Sequence, residues 1–369
     1  MSTENLSKIA NKSKGTLKRE IASTNTKEAS FVLRGIAILA VLINHYVDHY
    51  MTLESGGIAN IMVSIFFILS GYGISFSLDK RLADGLKLRQ ILEFYKDRAL
   101  KIFPLLWIAL IIQSAITRDS YSIYSILGYE LRNHYWFVSA ILQCYLLSPF
   151  LNRLIKFNIK ISLILSTLVL VACEFLVHRY PSLSSFLMVF HLAETPYLQI
   201  LFVHTYLFSC GMHLRYILNF EIGRIFSERA FFLQSTSLNR NDIFVMILAF
   251  ALTYTTIEKH ILTGLPLAGS LFLFSCVCIF ALKSGISSNG VLGRICRFLG
   301  YHSFSLYLFH MSYYFSLEKI GLLKEDSTAS MLIAIGLFPA FVVAVLCLEK
   351  VSEAISICFG RLLGYMFQI

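Results

Sequence analysis

Basic, polar stretches divide the sequence into apolar runs of about the length a helix needs to cross a membrane, and this pattern limits the fold more than any other feature. The runs lie at about 31–50, 57–78, 99–117, 135–152, 161–178, 198–214, 243–257, 265–282, 298–316 and 328–348. A helix needs roughly 20 mostly apolar residues to span a hydrocarbon core of about 30 Å. The pattern therefore predicts an all-α integral membrane protein, a bundle of about ten transmembrane helices. The pair after Ile243 is the least regular, because Glu258, Lys259 and His260 interrupt it; an irregular hairpin that does not fully cross is the alternative there. Composition excludes a soluble fold: 56% of the 369 residues are hydrophobic and 15% charged, at a mean hydropathy of +0.68, which leaves too little polar surface to cover a globule.

Residues 1–30 are rich in Ser, Thr, Asn and Lys and carry no apolar run. They are expected to form a disordered cytoplasmic tail and not a cleaved signal peptide. Residues 31–350 make up the membrane domain, and 351–369 a short cytoplasmic segment, which leaves no room for a second globular domain. The formal charge of +10 would suggest nucleic acid in a soluble protein. Here the cations sit between apolar runs, so no nucleic-acid partner is expected and lipids surround the chain. With the amino terminus inside, 25 of the 32 Lys and Arg fall in cytoplasmic segments and six in outer loops. Loops that stay in the cytoplasm are enriched in Lys and Arg, so the ten crossings place both termini there. The eight cysteines lie in or against apolar runs, save Cys296 in a short basic connection. They have no zinc-site spacing and read as small core hydrophobes, with no metal expected.

Titratable side chains inside membrane helices are costly and mark functional positions. The first helix carries Arg34 and His45, eleven residues apart. That step is close to three helical turns, so both project from one face about 16 Å apart along the axis. Arg34 lies at the cytoplasmic end and His45 in the outer half, with Asp48 and His49 one turn beyond, close enough for a carboxylate to orient an imidazole. Arg98 and Lys101 project to nearly the same side at the start of the third helix, a cradle for a phosphorylated donor. In the ninth helix Ser303 and His310 are seven apart and share a face. Counting the rise puts His310 about 18 Å and His45 about 21 Å from the cytoplasmic ends of their helices, which predicts a single buried polar site. Gln143, Tyr145 and Glu174 are weaker polar candidates. Gly71 and Gly73 are expected to permit close helix packing. The sequence contains no phosphate-binding loop, dinucleotide fingerprint, HExxH helix or nucleophile elbow.

The Arg34–His45 spacing, the run Phe66-Phe67-Ile68-Leu69-Ser70-Gly71 and the segment Arg98-x-x-Lys101-Ile102-x-Pro104-x-x-Trp107 together resemble the acyltransferase 3 family. So do the stretches Trp136-Phe137-Val138 to Tyr145-Leu146-Leu147-Ser148-Pro149, Leu207 to Met212 and Ser303 to His310. The resemblance spans about 31–350. It implies a bacterial cytoplasmic-membrane enzyme that moves acetyl from cytoplasmic acetyl-CoA to a hydroxyl of an exported or surface polysaccharide, in company with other polysaccharide-biosynthesis proteins. It also implies that His45 is catalytic and that Arg34, Arg98 and Lys101 hold the donor. Lys101 stands where the family more often has a second arginine, and it keeps the charge without the planar fork. Gln143 stands where many members have glutamate. The candidate site is completed by Asp48 and His310 as catalytic partners and by Trp136, Gln143, Tyr145 and Ser303 as contacts to the glycan acceptor. The rival reading is a polytopic exporter of a polysaccharide or its precursor, which would more often show internal repeats and matched helix breaks; neither is present.

The charge asymmetry generates a topology prediction. In a cysteine-free background, Lys87→Cys in the 79–98 segment should resist an impermeant thiol reagent applied to intact cells. Labelling from outside would reverse the map.

Overall fold

A computed structural model describes residues 28, 30–52, 58–82, 85, 87–128, 133–179, 205–213 and 290–366. All regular structure among these is helical. The expected helices at 243–257 and 265–282, most of that at 198–214, the amino-terminal tail and the side chain of Glu174 lie outside the described residues.

In chain order the helices are α1 (Ser30–Tyr50), α2 (Ile58–Arg81), α3 (Leu88–Thr117), the short α4 (Ile123–Ile126), α5 (Trp136–Phe157) and α6 (Ile159–Arg179). They continue with α7 (205–213), α8 (Val291–Tyr301), α9 (Ser303–Lys319) and α10 (Thr328–Met366). Five of these helices, α1, α2, α3, α5 and α10, contain apolar stretches long enough to cross a membrane. The protein is thus a multi-pass helical membrane protein. The apolar side chains that α6 and α10 leave exposed, among them Ile164, Leu168, Leu332, Ile335 and Val343, are what a lipid-facing surface requires.

Three elements depart from the sequence expectation. The third helix starts at Leu88 and not near 99, so much of the 79–98 segment is helical. Residues 88–98 bury only Ile91 and Phe94 and present charge elsewhere, with Arg89 bonded to Glu93 at 3.1 Å one turn on. That amphipathic pattern is invisible to a search for continuous apolar runs. The expected helix at 298–316 is two: α8 and α9 meet at His302, whose φ of −96° and ψ of 11° interrupt the helix. Cys296 therefore lies inside α8, buried, and not in a connection. The last helix continues through 351–366 and is 39 residues long, about 58 Å by its rise.

Close approach of backbones ties the first two helices to later ones. A Cβ on Gly35 would fall 1.8 Å from the Cys296 carbonyl oxygen, and one on Gly300 would fall 1.7 Å from that of Phe31. The α1–α8 crossing is thus backbone on backbone. Gly71 and Gly211 do the same for α2 and α7, facing the Phe208 and Ile68 carbonyls, each at 2.0 Å. Small residues admit such crossings in membranes, where van der Waals packing replaces the hydrophobic drive. Gly73 does not share this role: its nearest neighbour is the Arg34 guanidinium, 3.9 Å from where a Cβ would lie.

Polar ties gather at the two ends of the bundle. At one end Arg81 pairs with Asp97, Lys156 with Asp79 at 2.8 Å, and Arg297 with Glu28 at 2.6 Å. His302 and Ser305 both donate to Glu349, the former at 2.7 Å. At the other end Tyr50 donates to Glu318 at 2.8 Å, and Asp326 accepts from the Thr52 backbone N–H at 2.8 Å. Between them α3 is tied to α9 by Ser312 donating to Gln113 Oε1 at 2.6 Å.

The crossings yield a stability prediction. Gly300→Ala forces a methyl into the Phe31 carbonyl and should cost about 1–3 kcal/mol, the usual range for overpacking, read as a lower unfolding temperature in detergent. Gly336→Ala on α10 meets nothing within 4 Å and should leave that temperature unchanged or raise it. Equal behaviour of the two variants would contradict the backbone crossing.

Candidate functional site

Two cavities lie on either side of a septum in the bundle. The first, about 280 Å³, is lined by Arg34, Ser70, Arg98, Lys101, Tyr145 and Ser303 together with apolar side chains. Two helices supply its charge: Arg34 comes from the first turns of α1, and Arg98 and Lys101 from successive turns of α3. Arg34 donates to the Leu69 carbonyl at 3.1 Å, while the Arg98 guanidinium lies 5.5 Å from the centre of the Phe94 ring. The Nε atoms of both arginines are buried without a hydrogen-bond partner. No carboxylate lines the cavity among the described residues. Three cations share this pocket with no carboxylate among its described lining, and charge-assisted bonds to a phosphate or carboxylate are what would satisfy the idle donors.

The second cavity, about 860 Å³, is lined by His45, His49, Gln113, Tyr121, His134 and Trp136 among others. It opens at the far end of α1 from Arg34. Behind two of its lining residues, His45 and His134, lies His310, which is fully buried. The His310 ring lies 4.9 Å from that of His45 and 5.6 Å from that of His134. His310 Nδ1 is 2.5 Å from the Tyr307 carbonyl oxygen. A carbonyl only accepts, so Nδ1 carries the proton and the Nε2 lone pair is left without a partner.

His310, Tyr307 and Phe137 form the septum. Tyr307 and Phe137 line the cationic cavity, pack edge to face at 5.1 Å, and separate it from the histidines. The Tyr307 hydroxyl donates to the His134 carbonyl, which closes the layer.

The structure places Arg34 in one cavity with Arg98 and Lys101, the grouping that the resemblance implied, and it sets the His45 ring against that of His310, the pair that the depth count put at one level. It places these two sets in separate cavities, where the sequence had suggested one site. The four expected acceptor contacts are divided: Trp136 lines the histidine cavity, Tyr145 and Ser303 line the cationic one, and half-buried Gln143 lines neither. Asp48 is exposed and accepts from Asn44 Nδ2 at 2.6 Å. Among the described residues no group of three His, Cys, Asp or Glu is placed to hold a metal ion.

Sequence reasoning missed His134 and Gln113. A depth count on helices running the other way would have found His134, since the start of α5 lies level with the end of α1. Burial, reinforced by the His45 and His49 rings, pushes the His134 imidazole down to about 3, so it is neutral at physiological pH. Burial also pushes the Tyr121 phenol up to about 12.

A family model described as an acyltransferase domain matches residues 31–349, which include every lining residue of both cavities. No curated protein and no solved structure matches the chain. The match covers nearly all of the sequence, and it follows that this multi-pass membrane protein is an acyltransferase belonging to the acyltransferase 3 family.

Proposed function

We propose that the protein is an O-acyltransferase of the bacterial cytoplasmic membrane, a bundle of ten helices with both termini in the cytoplasm. It moves an acyl group, acetyl in the simplest case, from cytoplasmic acyl-CoA to a hydroxyl of a surface polysaccharide or lipid-linked glycan. The observation that carries this reading is the pairing of an uncompensated cationic cavity with an imidazole-lined one across a single layer of side chains. A donor with several phosphates and a long neutral arm needs charge at one end and a route to a base at the other.

On this reading the donor phosphates are held by Arg34, Arg98 and Lys101, and the arm extends along the cavity to the Tyr307–Phe137 layer. The acceptor hydroxyl enters from the other side and meets His45. As its oxygen bonds to the acyl carbon, His45 takes the hydroxyl proton and the carbon–sulfur bond breaks. The proton then passes to the departing thiolate, giving ester and free CoA. An imidazole suits general-base work near neutral pH. His310 is the group to orient His45: the two rings pack with centres 4.9 Å apart, whereas Asp48 is engaged by Asn44.

Kinetics of purified protein in lipid nanodiscs separate the two ends. His45→Gln keeps volume and a hydrogen-bonding group but cannot accept the proton, and should lower turnover by about a hundredfold or more, the range for a positioned general base, at little change in donor KM. Arg98→Ala should instead raise the donor KM, because a contact equally strong in ground and transition states affects binding and not turnover. Near-normal transfer by His45→Gln would remove it as the base. A turnover defect at unchanged KM would remove Arg98 from donor binding.

A further inference from the structure

We propose that the histidine-lined cavity is an acceptor site built for an uncharged, hydroxyl-rich sugar ring, and that it disfavours acceptors bearing a carboxylate or phosphate beside the reacting hydroxyl. The inference rests on the acceptor half of the acyl transfer proposed above, and it adds the charge class of the substrate.

Its lining divides into two kinds of group. Gln113, Thr117, Ser122 and Ser125 offer neutral hydrogen-bonding groups, and Tyr121, Tyr135, Trp136 and Phe315 offer aromatic surface. This pairing suits a saccharide, whose equatorial hydroxyls need donors and acceptors while its C–H faces pack on rings. Two of the polar groups are already oriented. Gln113 Oε1 accepts from Ser312, so the amide NH₂ is the end left to donate. Ser122 caps α4 by accepting from the Ser125 backbone N–H at 3.2 Å. Trp136 is fixed by stacking on Phe67, with ring centres 6.5 Å apart and planes 19° from parallel. A volume of about 860 Å³ lies inside the usual range of about 300–1,000 Å³ for small-ligand sites.

Charge selects independently of shape. No lysine or arginine lines this cavity among the described residues, and its one carboxylate is Asp119. His134 and Tyr121 stay neutral at physiological pH for the reasons given above. The three cations that would welcome an anion, Arg34, Arg98 and Lys101, line the other cavity. An anionic acceptor would therefore meet the Asp119 carboxylate and, among the described lining residues, no lysine or arginine, and unfavourable juxtapositions of this kind are how sites exclude wrong partners. The same partition keeps the donor's phosphates out of the acceptor side.

Binding can be read without turnover, because the chain has two tryptophans and one of them, Trp136, lines the cavity. In nanodiscs, Trp107→Phe leaves Trp136 as the sole emitter; wild type measured against Trp136→Phe gives the same information if Trp107→Phe fails to fold. The probes are matched pairs of methyl glycosides, the neutral gluco, galacto and manno forms each against its uronic acid. At least one neutral member should change Trp136 emission saturably, and its uronate should bind about tenfold more weakly or worse. A uronate that binds as well as its neutral partner, or no response to any neutral glycoside, overturns the proposal. If neutral glycosides bind but no acyl group is ever transferred, the acyl-CoA reading falls while the neutral sugar site stands.

Discussion

Inside a lipid bilayer a buried polar atom has no water to turn to, so it is satisfied by the protein, satisfied by a ligand, or left at a cost of several kcal/mol. Most polar groups of this bundle follow the first course. Gln113 is bonded to Ser312, His213 is bonded to Ser162 at 3.0 Å and to the Ser209 carbonyl at 2.7 Å, and Glu349 takes both His302 and Ser305. The exceptions are concentrated. Arg34 Nε and Arg98 Nε lie at one cavity, and His134 Nε2 and His310 Nε2 lie at or beneath the other. The Tyr135 hydroxyl at the second cavity is a fifth, and Gln90 Oε1, which lines neither cavity, is the sixth among the described residues, so most of the idle groups gather where a bound molecule could complete them.

The helix crossings make that arrangement possible. Arg34 is one residue from Gly35, whose contact with the Cys296 carbonyl locks α1 against α8. Gly71 locks α2 to α7 two residues beyond Leu69, the carbonyl that receives the Arg34 guanidinium. With α1 pinned at this level, the rise of the helix carries His45 to the second cavity. A site set by helix rise is more rigid than one set by loops, which suits a reaction in which donor and acceptor approach from opposite faces. In the proposed reaction the septum of Phe137, Tyr307 and His310 keeps the two apart until the acyl group passes.

Much of this was legible in the sequence because membrane helices obey simple geometry. The spacings of Arg34 to His45 and of Arg98 to Lys101 needed only the helical repeat, and the meeting of His45 with His310 needed only the rise per residue. What escaped was whatever a continuous apolar run does not encode. Residues 88–98 form an amphipathic helix whose charges hid it, and α8 is a short amphipathic helix that buries Gly293, Cys296, Leu299 and Gly300. The acceptor side escaped for a different reason. Its polar groups come from the end of α3, the connection through α4 and the start of α5, three places far enough apart in sequence that no local motif joins them. Trp136 and Tyr145 come together from one stretch of the resemblance, but nine residues of helix put them in different cavities, Trp136 in the histidine-lined one and Tyr145 in the cationic one.

The central claim is that donor and acceptor occupy separate cavities and meet at the septum. A cryo-electron microscopy structure in nanodiscs with a thioether analogue of acetyl-CoA, which cannot transfer its acyl group, tests it most directly. The account predicts density for the donor phosphates within hydrogen-bond reach of Arg34, Arg98 and Lys101, with the acyl end at the layer formed by Phe137, Tyr307 and His310. Phosphate density among His45, His49 and His134, or a donor bound outside both cavities, would contradict it.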